Sequence, residues 1–387
     1  MVPIKYNVRN LVVRKSTTAA AAFGLALTVF IFAGSLMLIN GLKKTLGRGA
    51  SPEVAVILRK GSDAELTSAI EDKHVNLVLA QAQQIGASKK PAGVGEIAVV
   101  ILLDKLGTDG VSNVMVRGVP DDVMAFRPTA KIIDGRAPNP GTDEVIVGKA
   151  IRGRFKGLDI GQSFEMKKNR PVKVVGVFED GGSSFESEVW ADIHTVRQAF
   201  GREGYVSSVR VRLDSPAKYD AFKALVEGDR QLGLAAMREP DYFEKQSEAT
   251  AFILGLTGGL IAVFFAIGGM IGATITMNAQ VANRTREIGT LRALGFSRAS
   301  VLFSFLLESM VLALFGGAVG AVCSLAMGLV KVPLINAGSW SEIVFGFEPT
   351  PGIIIGSLIL AVGMGVMGGF LPAWRAARVA PIEAMRG

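Results

Sequence analysis

Between Ser16 and Leu42 the chain carries no charged side chain. Three later stretches repeat the pattern: 250–279, 301–330 (broken only by Glu308) and 351–372, which Pro351 opens and Pro372 closes. About 20 apolar residues in a helix cross the ~30 Å hydrocarbon core of a bilayer. Each stretch is long enough. The first, at about 1.5 Å per residue, reaches roughly 40 Å and projects beyond the core. In lipid every backbone N–H and C=O must be satisfied within the segment, so each stretch is expected as a helix. A signal-peptide core is only about 7–15 residues, and no A-x-A site follows cleanly, so 16–42 reads as an anchor that stays. The expectation is a membrane protein of four transmembrane α-helices in a 1+3 arrangement, split by a soluble domain over 43–249.

The charges agree with that layout. The net charge is +8, yet residues 42–250 hold 30 Lys+Arg against 29 Asp+Glu. The excess lies at one set of span ends: Lys5, Arg9, Arg14 and Lys15; Arg284, Arg286, Arg292 and Arg298; Arg375, Arg378 and Arg386. Only Glu287 and Glu383 oppose them. Such a distribution is a topology signal and not a nucleic-acid footprint. It puts 1–15, 280–300 and 373–387 in the cytoplasm, with both termini, and places 43–249 and 331–350 outside. Ile4, Val8, Leu11 and Val12 make 1–15 an amphipathic interfacial helix. Trp340, Phe345 and Phe347 give the 331–350 loop the look of an aromatic belt. Cys323 is the single cysteine, which excludes an intrachain disulfide and a thiolate zinc cluster.

The soluble stretch has globular composition. VAVIL (54–58), IAVVILL (97–103) and 111–119 read as strands, with a helical pattern over 63–80. From Asp134, turn residues separate short apolar runs, which predicts a β-rich subdomain. Residues 181–190 read as a hairpin tip, 190–200 and 218–226 as helices, and 206–213 as an alternating strand. The expected class is α+β, with βαβ-like pieces framing the β-rich subdomain.

Nothing points to an enzyme. The chain holds no G-x-x-x-x-G-K-[ST] loop, so it carries no P-loop of its own. His74 and His194 lack metal-ligand spacing, and Ser183–Ser184 lacks a nucleophile elbow. Glu308 is an acid inside a span, expected to pair with a nearby arginine such as Arg292 or Arg298. Small-xxx-small pairs (Gly255/Gly259, Gly268/Gly272, Gly316/Gly320, Gly365/Gly369) allow close helix packing, within the chain or along a dimer seam.

The stretch NRTREIGTLRALGFSRAS, 283–300, sits between the second and third spans. Ile288, Leu291 and Leu294 recur at helical spacing, Gly295 suits a helix stop and Ser297 an N-cap. By pattern it is either a docking helix or a basic loop that fixes topology.

With its continuation VLFSFLLESMVLALFGGAVG and the later LPAWRAARVAPIEAMRG, this stretch resembles MacB/FtsX-type ABC permeases. VRGVP, DGRAPNPGTDEVIVG, IGQSF and VKVVGVFEDGG are similar to that family's periplasmic core. IKYNVRNLVVRKSTT is similar to its entry helix. The resemblance implies an ATPase-coupling segment from Arg284, in which Glu287, Ile288, Gly289, Leu291, Arg292, Ala293, Leu294 and Gly295 match the E-I-G-x-x-R/K-A-L/I-G pattern. Ile288, Leu291 and Leu294 would grip the ATPase, with Glu287 and Arg292 as polar contacts. Glu308 matches an acid frequent in the family's third span, which implies a structural role. ATP and Mg would sit on a cytoplasmic ATPase, with no cofactor in this chain. A second permease copy or a homologue would complete a dimer in the inner membrane, among its lipids. The implied activity is efflux or export with a periplasmic adaptor, driven by motion of the outer domain. Lipoprotein release, or activation of a cell-wall hydrolase, are the alternatives. Unlike MacB, the chain is expected to be a permease without a fused ATPase domain, its ATPase being a separate subunit.

Overall fold

The structure, a computed structural model, describes residues 15–380. The expected interfacial helix over 1–15 falls outside them except for Lys15, as do Glu383 and Arg386. Helix α1 is Lys15–Gly47. There follow β1 Val54–Arg59, β2 Ile70–Glu71, α2 Asp72–Gln84, β3 Gly93–Asp104, β4 Val111–Val119 and a single turn, α3, Val123–Phe126. Next come β5 Lys131–Gly135, β6 Glu144–Gly148, β7 Ser163–Lys167, β8 Arg170–Glu179, β9 Glu188–Asp192 and α4 Ile193–Phe200. The soluble stretch closes with β10 Tyr205–Val206, β11 Ser208–Arg212, α5 Tyr219–Gly228 and β12 Leu234–Arg238. Then follow α6 Glu239–Asn283, α7 Thr285–Ala293, α8 Arg298–Ala326, β13 Lys331–Ile335, β14 Glu342–Gly346 and α9 Pro351–Ala377. Among the described residues four helices, α1, α6, α8 and α9, are long and apolar enough to cross a membrane.

Two compact units emerge: a sheet unit of 41–252 with 331–345, and a helical unit of 15–40, 253–330 and 346–380. The sheet unit is a ten-stranded mixed sheet in the order β12-β1-β11-β3-β4-β9-β6-β8-β5, with β7 on β8. The β4–β9 and β6–β8 pairs are parallel, as the βαβ-like reading requires. Successive side chains of a strand point to opposite faces. One face carries Ile97, Val99, Val116, Val189, Val209 and Val211, packed with Val78 of α2, Val196 of α4 and Phe222 of α5.

Several local expectations are corrected. The helix expected over 63–80 begins only at Asp72. Trp190 lies in β9, and the helix starts at Ile193 because Asp192 caps it, its Oδ1 accepting from His194 N at 2.8 Å and Thr195 N at 3.1 Å. Residues 181–190 are no exposed tip: Phe185 and Trp190 are fully buried. The 331–350 loop holds a hairpin, β13–β14, most of it in the sheet unit. There Phe345 is buried, whereas Trp340 is 64% exposed. Glu342 is fixed by Ser112 at 2.6 Å, Lys105 at 2.9 Å and Arg154 at 2.6 Å. Helix α6 starts well before Thr250: its polar lead-in EPDYFEKQSEA hides the start from hydropathy, while Pro240 and two acids suit a first turn.

In the helical unit Leu25 and Val29 of α1 pack with Ala313 and Ala321 of α8 and with Ala361 and Met364 of α9. Gly316 and Gly320 make the close approach possible. A Cβ on Gly316 would stand 2.7 Å from the Ala22 carbonyl, and one on Gly320 would run into the Ala26 carbonyl. The Gly316/Gly320 pair therefore lies on a seam within the chain. Gly365 and Gly369 likewise face Ser309, whose hydroxyl donates to the Gly365 carbonyl. A Cβ on Gly268 or Gly272 would meet nothing within 4 Å, so that pair serves no seam within the described chain. Replacing Gly320 by alanine should cost about 1–3 kcal/mol through overpacking. Detergent unfolding of the full chain checks this, with Gly268→Ala as the comparison expected to change nothing.

Candidate functional site

The segment between α6 and α8 is held from behind by both apolar and charged contacts. Ile288 is 2% exposed and packs with Met277, Val301, Phe305, Ala373 and Ala376. Arg284, at the break before α7, donates from Nη1 to Glu308 Oε2 at 3.0 Å and from Nε to Glu287 Oε2 at 3.1 Å. Its guanidinium also lies 5.2 Å from the Phe305 ring centre. Glu308 is thus paired with arginine as expected, but with Arg284 and not with Arg292 or Arg298. Arg292 turns back and donates to the Phe296 carbonyl at 2.8 Å. Gly295 has φ +93°, a left-handed stop that an L side chain resists. Ser297 caps α8, its hydroxyl accepting from Ser300 N at 3.1 Å.

This anchoring divides the expected grip residues. Ile288 and Gly289 are buried, Leu291 is half-buried, and Leu294 is 73% exposed. The exposed residues of the segment are Arg286, Glu287, Thr290, Ala293, Leu294, Gly295, Ser297, Arg298 and Ala299. Its large exposed apolar side chain is Leu294, in a segment that also exposes Arg286, Glu287 and Arg298. Ile288 is a foundation of the segment and not a contact surface.

The sheet unit holds a second concentration of charge that the sequence did not announce. The face opposite α2, α4 and α5 carries Glu96 of β3, Arg117 of β4, Glu188 of β9 and Arg210 of β11. Glu65, Arg127 and Glu239 join them, and all seven are buried. Arg117 reaches Glu188 at 2.7 Å, Glu96 at 2.9 Å and Glu65 at 3.0 Å. Arg210 reaches Glu239 at 2.8 Å and both Glu65 and Glu96 at 3.0 Å. Arg127 reaches Glu96 at 3.2 Å. The Phe185 ring lies beneath three guanidiniums, those of Arg127, Arg117 and Arg210, at 4.1, 5.2 and 5.7 Å. Burial alone would raise the carboxyl pKa of Glu96, but Arg127, Arg210 and Arg117 together hold it down at about 2. Glu65 is held below the carboxylate range the same way, by Arg117 and Arg210 against its burial. Such a network fixes geometry and offers no group free to react. Among the described residues no group of three or more His, Cys, Asp or Glu side chains could hold a metal ion. The period-2 pattern of 208–212, SVRVR, reads as one wet face. The chance to recognise it as dry lay in the aromatics Phe185, Tyr242 and Phe243.

Comparison with known proteins fits both units. The family model described as MacB-like periplasmic core domain matches residues 18–228, and that described as FtsX-like permease C-terminal matches 259–381. The chain is 26% identical over 270 residues to a macrolide export ATP-binding/permease protein MacB of Neisseria gonorrhoeae, over 66% of this chain and 40% of that protein. It is 29% identical over 230 residues to an uncharacterized ABC transporter permease, YknZ, of Bacillus subtilis, over 56% of this chain and 54% of that one. The periplasmic region of MacB from Actinobacillus actinomycetemcomitans covers 52% of this chain and 95% of its own, at TM-score 0.38 and 13% identity. The chain thus spans well under two thirds of the curated relatives' length. With the core-domain match running over more than half its residues, the chain belongs to the MacB/FtsX-type family of ABC transporter permeases.

Proposed function

We propose that this permease docks a separate cytoplasmic ABC ATPase on the Arg286–Leu294–Arg298 face and passes ATP-driven motion to its sheet unit. The observation that carries this is the division of the 284–298 segment. Ile288 and Arg284 fasten it to the helices behind, and Leu294 stands clear. A matching partner surface has an apolar pocket for Leu294. ATP and Mg belong to that partner, and the termini and the 284–298 segment lie in the cytoplasm. Helix α6 supports the mechanical part: its 45 residues run without interruption, about 67 Å at 1.5 Å per residue. The output proposed is export with an adaptor on the outer side, by a pair of permease copies in the inner membrane.

Leu294→Asp tests the docking. An interface anchor is worth about 2–4 kcal/mol, so ATPase affinity should fall roughly 30- to 1,000-fold, with the permease's own melting unchanged. ATPase that still co-purifies with the Leu294→Asp chain and still turns over ATP would rule the assignment out. Ile288→Asp is unsuitable, because it places a charge in the packed cluster and unfolds the segment whatever it binds.

A further inference from the structure

We propose that Glu239 is a positioning residue: its buried carboxylate fastens the root of α6, and the chain just past α1, to the sheet. Glu239 is the first residue of α6 and is almost fully buried. Oε1 accepts from Arg210 Nη1 at 2.8 Å, and Arg127 Nη1 stands 3.5 Å away. Oε2 accepts from the Ser51 backbone N–H at 3.0 Å. One carboxylate therefore gathers strand β11, the turn after α3, the segment following Gly47 and the first turn of α6. The next residues of that turn complete the seat. The Phe243 ring meets Phe185 edge-on at 5.9 Å, and Arg210 lies 5.9 Å from the Tyr242 ring and 5.8 Å from the Phe243 ring.

Charge bookkeeping separates position from stability. The cluster defined by these ion pairs has four carboxylates, Glu65, Glu96, Glu188 and Glu239, and three guanidiniums, Arg117, Arg127 and Arg210. Without the charge on Glu239 it would balance at three against three. Glu65, Glu96 and Glu188 hold strands to each other, whereas Glu239 is the member that belongs to α6. A buried carboxylate in excess of its cations is costly to stability, which leaves position as the role for Glu239. Its place at the N-terminal turn, where the helix dipole favours an anion, lowers that cost. The role in transmission rests on the mechanical reading proposed above, but the fastening does not.

Hydrogen–deuterium exchange on the full chain in nanodiscs tests the fastening. In Glu239→Gln, peptides covering 48–54 and 239–248 should exchange at least tenfold faster. Peptides from β3 and β4 should be unchanged, as should the thermal midpoint. Glu248→Gln, an exposed acid on the same helix, should behave as the parent. No acceleration in the two root peptides overturns the proposal. So does equal acceleration throughout the sheet, which would make Glu239 a general stabiliser. Glu239→Asp decides the matter if the glutamine variant does not fold: keeping the charge on a shorter arm, it should fold and still loosen both roots, and tight roots would overturn the proposal. With the ATPase bound, ATP should alter exchange in β3 and β4 of the parent but not of Glu239→Gln, at undiminished ATP turnover. An ATP response preserved in the variant overturns the transmission role. A parent that shows no ATP response counts against the mechanical reading instead, and the root peptides still decide the fastening.

Discussion

Replacing Arg210 by methionine should lower the stability of the sheet unit by about 3–5 kcal/mol, the usual consequence of removing one partner from a buried ionic network. The side chain is fully buried and serves Glu65, Glu96 and Glu239 at once. Its loss leaves four buried carboxylates facing Arg117 and Arg127 alone. Methionine fills most of the volume, so the loss is one of charge balance and not of packing. Urea unfolding of the full chain with Trp340 and Trp374 replaced by phenylalanine, followed by the fluorescence of the buried Trp190, measures it. A change under about 1 kcal/mol, the usual worth of an exposed pair, would mean that the network is wetted in solution.

A comparable loss is expected in the helical unit from Arg284→Met, again about 3–5 kcal/mol for a broken buried pair. Glu308 is 1% exposed and sits in a helix long and apolar enough to span a bilayer. Removing the guanidinium 3.0 Å from it takes away a counter-charge where a charge is poorly tolerated. The double replacement Arg284→Met with Glu308→Leu should recover most of the loss, because a buried pair exchanged for apolar side chains is often neutral. A double-mutant cycle in detergent unfolding provides the number. Additive losses would show that the two side chains do not act as a pair.

The membrane part of this architecture was legible because lipid imposes a strict rule. Runs without charge must be helices there, and the four long apolar helices fall on those runs. Gly295 and Ser297 were legible for an equally local reason, since stops and caps depend on one residue's backbone preference or one hydroxyl. Which residues of 284–298 face outward was not. Ile288, Leu291 and Leu294 look like a stripe, but at about 100° per residue Leu294 stands roughly 120° around the helix from Ile288. One can be buried while the other faces out, and only packing decides which. Arg210 failed to announce itself for a related reason. Alternation tells that a strand has two different faces, not that the polar one is wet. What dries that face comes from distant residues, Phe185 and Phe243 among them.

The hairpin β13–β14 has a consequence for how the molecule is made. Val344 belongs to the sheet unit's apolar core, and its backbone N–H donates to Ser187 Oγ at 3.0 Å. Glu342 supplies the partner of Ser112, Lys105 and Arg154. That unit is assembled from two stretches of chain, with α7 and α8 encoded between them. Domains that fold as they leave the ribosome do so in chain order, but this one must wait. Its last strand is synthesised only after the second and third spans, so the unit stays unfinished while they are being inserted. Until then Ser112, Lys105 and Arg154 lack Glu342, and the apolar core lacks Val344.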